Sequence, residues 1–332
     1  MTFERLAKRA VEGRALADTD IEAVALCPDE RITELMQAAQ SVRYHFFGNR
    51  MHVCAIVNAR SGRCPENCSF CAQSAHHDTG CDEYPLLDPG EVGRAAQEAR
   101  RGGASRFGVV ISGTGLREGE LDEFSRCLRA AAEAGVTPDA SPGIVSRDVL
   151  RELKRAGMAG YHHNLETSAS YFPSICSTHD YEEDVQAVRD ALEEGLFVCS
   201  GGIFGLGESW EHRAELALTL AELGVPSVPV NFLTPVPGTP LEGRSVMTPS
   251  EALRTLALLR FLLPDRQLRL CGGRPAVFSP ESAAKPFGAG ITGVMTGDYL
   301  TTPGEGPEED LKRIRAAGLD PVGAEQPEIR NG

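Results

Sequence analysis

From residue 51 onward the apolar positions alternate between two spacings. Short runs dense in apolar and β-branched residues, MHVCAIVN (51–58), RFGVVISG (106–113), TPDASPGIV (137–145) and YHHNLET (161–167), read as strands. LFVCSGGIF (196–204), SVPVNFL (227–233), QLRLCGG (267–273) and TGVMTG (292–297) bring the series to eight. Between them lie stretches of helical period with readable starts. Asp88-Pro89-Gly90-Glu91 offers an N-cap, a proline at the first helical position and a capping-box acid. Ser146 precedes RDVLRELKRAG, and Thr248-Pro249 opens SEALRTLALLRFLL. Gly135, Gly157, Gly195 and Gly224 fall where helices should stop. Eight strands alternating with helices predict a closed (β/α)8 barrel of the TIM type over residues 51–322. Ahead of it, residues 1–50 read as a cap of two or three amphipathic helices, ending near ITELMQAAQSVRYHFFGN. EEDLKRIRAAGLDP reads as a last helix, and residues 323–332 as a disordered tail.

In such a barrel the site lies at the C-terminal ends of the strands. The loop after the first run, NARSGRCPENCSFCAQSAHHDTGC (58–81), falls on that face and carries Cys64, Cys68 and Cys71 in a C-x3-C-x2-C triplet. Three thiolates are one too few for a closed tetrahedral zinc site. They suit a cubane iron–sulfur cluster with one open iron, which can take a small chelating ligand. The plainer alternatives are a zinc knuckle completed by His76, His77 or Cys81, and a disulfide-bearing loop.

Three further cysteines stand on odd-numbered runs: Cys54 on the first, Cys199 on the fifth and Cys271 on the seventh. Alternate strands build one interior layer of such a barrel, so these thiols can face one another. Arg269 shares the side-chain parity of Cys271, one pleat repeat (~6.6 Å) away. A buried arginine needs an acceptor or an anion, and a sulfide cluster is an anion. The plainer reading is three inert core thiols. Cys27 reads as a structural thiol and Cys81, Cys127 and Cys176 as bystanders, of which Cys176, in a loop after the fourth run, merits watching.

Composition narrows the class. With 47 acidic against 33 basic residues the net charge is −14, which argues against nucleic acid as a partner. A hydrophobic content of 42% supports a large core. Ten cysteines could suggest a disulfide framework, but MTFERLAKRAVEGRAL has no apolar h-region, and no apolar run approaches the ~20 residues of a membrane span. The expectation is a cytoplasmic protein off the membrane, with thiols reduced and available to metal.

CPENCSFCAQS, with Phe70 just before the last cysteine, resembles the signature of radical S-adenosylmethionine (SAM) enzymes, and its wider wording resembles the biotin synthase family. The resemblance runs from about residue 40 to 322. It implies that Cys64, Cys68 and Cys71 hold a [4Fe-4S] cluster whose open iron binds SAM. YHHNLETS (161–168) matches the segment contacting the substrate's urea ring and the SAM ribose, which implies those roles for Asn164 and Glu166. Glu166 replaces an aspartate there, and His162 a further asparagine. SVPVNFLTPVPGTPL (227–241) implies Asn231 on the ureido ring. The family also holds a sulfur-donating auxiliary cluster deep in the barrel, on cysteines of strands 2, 3 and 5 and an arginine of strand 7. Cys199 and Arg269 match, but Gly108 and Asp139 stand at the other two positions. That departure points away from a [2Fe-2S] cluster to one of four-iron type, held by Cys54, Cys199 and Cys271, with Asp139 or Arg269 over the fourth iron. Asp184 stands where the family often has an arginine for the SAM carboxylate. The implied reaction is sulfur insertion converting dethiobiotin to biotin, with a flavodoxin- or ferredoxin-type electron donor and a homodimeric enzyme. The alternatives are another radical SAM enzyme on this barrel, of hydrogenase-maturation or methylornithine-synthase type, and a non-enzymatic iron–sulfur or zinc protein.

Overall fold

The structure is a computed structural model and describes residues 2–322. The expected tail at 323–332 lies outside the described residues. Three helices open the chain: α1 (Phe3–Val11), α2 (Asp18–Ala25) and α3 (Ile32–Phe47). The strands that follow are β1 (Arg50–Arg60), β2 (Arg106–Ile111), β3 (Thr137–Ser141), β4 (Gly160–His162), β5 (Phe197–Cys199) and β6 (Gly202–Phe204). After them come β7 (Ser227–Phe232), β8 (Gln267–Leu270) and β9 (Gly293–Met295). All pair in parallel, and β9 returns to β1 through His52–Gly293 and Cys54–Met295, which closes the predicted barrel.

Helices cover the outside: α4 (Pro89–Arg101), α5 (Leu121–Glu133), α6 (Arg147–Arg155), α7 (Tyr181–Glu193), α8 (Trp210–Glu222) and α9 (Pro249–Leu262). A short α10 (Arg274–Val277) and α11 (Pro307–Ala316) complete them. Their starts follow the predicted chemistry. Asp88 accepts from Gly90 N and Glu91 N at 2.8 and 3.1 Å while Glu91 accepts from Asp88 N, and Thr248 caps Glu251 N at 3.2 Å. The four glycines expected at helix ends all take positive φ. Leu6, Val24, Leu35 and Val42 of the N-terminal helices pack with Leu258 and Phe261 of α9 into a cluster of their own. No helix among the described residues is long and apolar enough to cross a membrane.

Two features depart from the sequence pattern. The fifth run breaks into β5 and β6 at Ser200-Gly201, because the chain there is pinched between neighbours. A Cβ on Gly201 would sit 2.1 Å from Pro229 O, and one on Gly202 2.3 Å from Glu166 O. The second is β10 (Asp320–Val322), which pairs beside Arg50–His52; three residues, one of them proline, carry no alternation to read.

Barrels of this class usually fill their interior with branched apolar layers. Here His52, Arg106, Asp139 and Arg269 gather at the lower end instead. Burial first, then the neighbouring arginines, push the His52 imidazole down to about 4, so it is neutral.

Candidate active site

The cluster-type loop leaves the end of β1 and is fixed from several sides. Arg60 is buried and donates to Ser112 O and Gly115 O, each at 2.9 Å, and also pairs with Glu120. Gln73 accepts from Ser61 Oγ and Gly62 N at 3.1 and 3.2 Å, and Ser74 Oγ donates to Glu66 O at 2.6 Å. Thus the CAQS wording after the triplet has a structural job. Its glutamine and serine hold the turn that spaces the thiols, with Cys71 N donating to Cys68 O. A second clamp comes from the loop after β4: Asn67 exchanges two hydrogen bonds with Ser177, at 2.8 and 2.9 Å.

All ten cysteines are free. His77 Nδ1 donates to Cys71 O and His76 Nε2 to Pro65 O, each at 2.9 Å, so both of these ring nitrogens are engaged by backbone. Burial pushes Cys71 up to about 11 and raises Cys64 as well. Such thiols stay protonated until a metal supplies the positive charge.

One cavity of about 280 Å³ opens at the C-terminal ends of the strands and reaches into the barrel. Cys71 and Phe70 line it from the loop, and Cys54, Cys199, Cys271 and Arg269 from the wall. The parity argument therefore places Arg269 and Cys271 on the same inner surface. Cys199 Sγ lies 3.3 Å from Ser227 Oγ, which also accepts from Arg269 Nε at 2.8 Å. Burial opposes the charge of Arg269, yet the Cys54 and Cys199 sulfurs and Asp139 outweigh it and raise the guanidinium pKa. The same burial pushes Cys199 up to about 11 and raises Cys271. These are thiols awaiting a cation beside one that is already there.

Gly108 and Asp139 also line the cavity. Beside Gly108 the wall is filled by Ile56, whose Cγ2 would lie 3.1 Å from an added Cβ. Asp139 is engaged through both oxygens by Arg106, with Nε to Oδ2 at 2.8 Å.

Asn164 and Glu166 stand just past β4 and Asn231 near the end of β7, all on the cavity wall. Asn164 Oδ1 accepts from Gly201 N at 3.2 Å, and Asn231 Oδ1 from Gly272 N at 2.9 Å. With both amide oxygens engaged by backbone, what each amide still offers the cavity is N–H. Asn164 Nδ2 also donates to Glu166 Oε2 at 3.3 Å. Glu166 itself has φ of 62°, a left-handed conformation that a glutamate rarely adopts and that clusters at functional sites. Burial pushes its carboxyl up to about 8. His162 lines the cavity too, pushed down to about 4 by burial and then by His163.

Asp184 does not reach the cavity as the arginine it replaces would imply. It accepts from His163 Nε2 at 2.7 Å and His179 Nε2 at 3.1 Å, which hold it ionised against the cost of burial. Sequence reasoning missed that pair, and it missed Arg106. The signal for Arg106 was available, since it shares the parity of inward Gly108. Tyr299, Leu300, Thr301 and Thr302 close one side of the cavity, tied down by Arg274 Nε to Tyr299 Oη at 3.1 Å and Asn58 Nδ2 to Leu300 O at 3.1 Å.

Comparison with known proteins agrees with this geometry. A family described as "Radical SAM superfamily" matches residues 59–220, and one described as "Biotin and Thiamin Synthesis associated domain" matches 229–320. The biotin synthase of Geobacter sulfurreducens is 47% identical over 95% of this chain and 96% of its own. That of Pelobacter propionicus is 48% identical over 94% of this chain and 96% of its own. Among solved structures, methylornithine synthase superposes with a TM-score of 0.81 at 20% identity, covering 96% of this chain and 97% of that one. The FeFe-hydrogenase maturase of Carboxydothermus hydrogenoformans gives 0.79 at 17% identity, covering 97% and 80%. At those identities the structural likeness speaks for the fold alone.

Proposed function

This chain belongs to the biotin synthase family of radical SAM enzymes, and on that premise we propose that it converts dethiobiotin to biotin with sulfur drawn from a cluster in the barrel floor. One observation carries the reading: a single cavity is lined at its mouth by Cys71 of the triplet and along its wall by Cys54, Cys199, Cys271 and Arg269. Cys64, Cys68 and Cys71 would hold the SAM cluster, and their donor set fits iron: free thiols on one turn, with burial opposing ionisation at Cys64 and Cys71. When bound, the clusters and SAM supply the electron, the radical and the sulfur that side chains cannot.

The remaining work falls to the chain's own residues. Asn164 and Asn231 would direct their free N–H groups at the ureido carbonyl, an acceptor. Glu166 would accept the two SAM ribose hydroxyls. Cys54, Cys199 and Cys271 would hold the second cluster, of four-iron type. Because Asp139 is engaged by Arg106, Arg269 is the better candidate beside the remaining iron. The walled cavity keeps water from the reacting carbons. A flavodoxin- or ferredoxin-type protein would deliver the electron.

Glu166 makes SAM affinity depend on pH. A carboxyl pushed up to about 8 by burial must lose its proton to accept two hydroxyls. Affinity should therefore fall as pH drops below 8, by up to about tenfold per unit. SAM's own amino group titrates in the same range, so the readout is the difference between wild type and Glu166→Gln. Equal slopes for the two would remove Glu166 from the ribose.

The reaction itself is tested under anaerobic conditions. Protein reconstituted with iron and sulfide is given reductant, SAM and dethiobiotin, and products are read by mass spectrometry. Biotin together with 5′-deoxyadenosine is expected. 5′-Deoxyadenosine alone would overturn the substrate, and neither product from iron-loaded protein would overturn the enzyme reading.

A further inference from the structure

Behind the cysteine triplet lies a second donor set that the proposed reaction does not use. Glu66, Cys176 and His179 place a carboxylate oxygen, a sulfur and an imidazole nitrogen all within 4.8 Å of one another. His179 Nδ1 is 3.4 Å from Cys176 Sγ and 2.7 Å from Glu66 Oε2. Cys176 Sγ is in turn 3.8 Å from the sulfur of Cys68. From these residues we propose a zinc-class site, with Glu66, Cys176 and His179 as its three protein donors and the fourth position left to water.

Zinc bonds of ~2.3 Å to sulfur and ~2.0 Å to nitrogen, at tetrahedral angles, put an S–N edge at roughly 3.5 Å. The observed Cys176–His179 edge is 3.4 Å. The nitrogen–oxygen edge, 2.7 Å, is short while a proton bridges Nδ1 and Glu66; it opens to about 3.3 Å when metal takes the proton's place. Binding would release that bridging proton.

The second shell is already built. A metal-ligating histidine almost always donates its other ring N–H to a carboxylate or carbonyl, which fixes the tautomer. His179 Nε2 donates to Asp184 Oδ2 at 3.1 Å, leaving Nδ1 for the metal, and Asp184 is oriented from behind by His163 Nε2 at 2.7 Å. Glu66 is held by the hydroxyls of Thr114 and Thr178. Ser69 N to Ile175 O at 2.8 Å and the Asn67–Ser177 pair dock the two loops, so that Cys176 meets Cys68 without rearrangement.

The test uses the full chain, freed of iron under anaerobic conditions, with Co²⁺ as the spectroscopic probe and Zn²⁺ competed against a chromophoric chelator. Tetrahedral Co²⁺ bands with thiolate charge transfer are expected. One equivalent of Zn²⁺ should vanish in Cys176→Ser and in His179→Gln yet remain in Cys64→Ser and Cys71→Ser. His179→Gln, checked by circular dichroism, guards against a Cys176 variant that loses its fold. Retention of that equivalent in Cys176→Ser and His179→Gln, or its loss in Cys64→Ser or Cys71→Ser, would place the metal elsewhere and overturn the proposal.

Discussion

Cys271→Ala is expected to abolish biotin formation while leaving SAM cleavage intact, whereas Cys68→Ala should abolish both. Cys271 lies on the cavity wall, and Cys68 in the loop whose Cys71 lines the same cavity. Cys68 lies in the turn between β1 and α4, held by Cys71 N to Cys68 O and clamped through Asn67, and a triplet reduced to two thiols cannot hold a cluster with one open iron. Cys271 follows β8 in the barrel wall, buried, with its S–H donating to Arg269 O at 3.5 Å. Removing one buried sulfur costs about 1 kcal/mol, too little to unfold a barrel of this size or to disturb the loop at its mouth. Loss of product in Cys271→Ala would therefore report on sulfur supply and not on the fold. The measurement is 5′-deoxyadenosine and biotin formed per chain, by mass spectrometry. Wild-type biotin yield from Cys271→Ala would remove this thiol from the auxiliary cluster.

The elements legible in the sequence were those governed by local chemistry. Asp88, Ser146 and Thr248 cap their helices because the cap is a matter of four consecutive residues. The cysteine triplet announced itself by spacing alone, and strand parity was enough to put Arg269 and Cys271 on the inner surface. What escaped depends on partners remote in sequence. The break at Ser200-Gly201 follows from the approach of Pro229 and Glu166, and nothing local in VCSGG says which neighbours will press. Asp139 offered itself as an iron ligand because its partner, Arg106, lies 33 positions earlier on another strand. Asp184 looked like a lost SAM contact until His163 and His179 appeared on either side of it. Cys176 remained a bystander in sequence, since only the docking of two loops brings it to Cys68.

Asp139→Ala should lower stability by ~3–5 kcal/mol, the cost of leaving a buried charge without its partner. Arg106 is 7% exposed, and its guanidinium lies 4.5 Å from the centre of the Phe197 ring, so little water can replace the carboxylate. Nor can the neighbourhood adjust easily. A Cβ on Gly160 would already sit 2.2 Å from Asp139 Oδ1 and 2.7 Å from Arg106 Nη2, which shows how closely the backbone is moulded to the pair. If the loss comes from the orphaned cation and not from a missing contact, Arg106→Leu combined with Asp139→Ala should recover most of it. Urea unfolding of the cluster-free protein measures all three variants against wild type. A single variant within about 1 kcal/mol of wild type would mean that Arg106 finds another acceptor. The pair also decides where charge is available in the floor. Arg106 pairs with Asp139, whereas Arg269 hydrogen-bonds to the neutral Ser227 and Gln267 and feels the Cys54 and Cys199 sulfurs ahead of Asp139. Its positive charge therefore faces the sulfurs of Cys54 and Cys199 first.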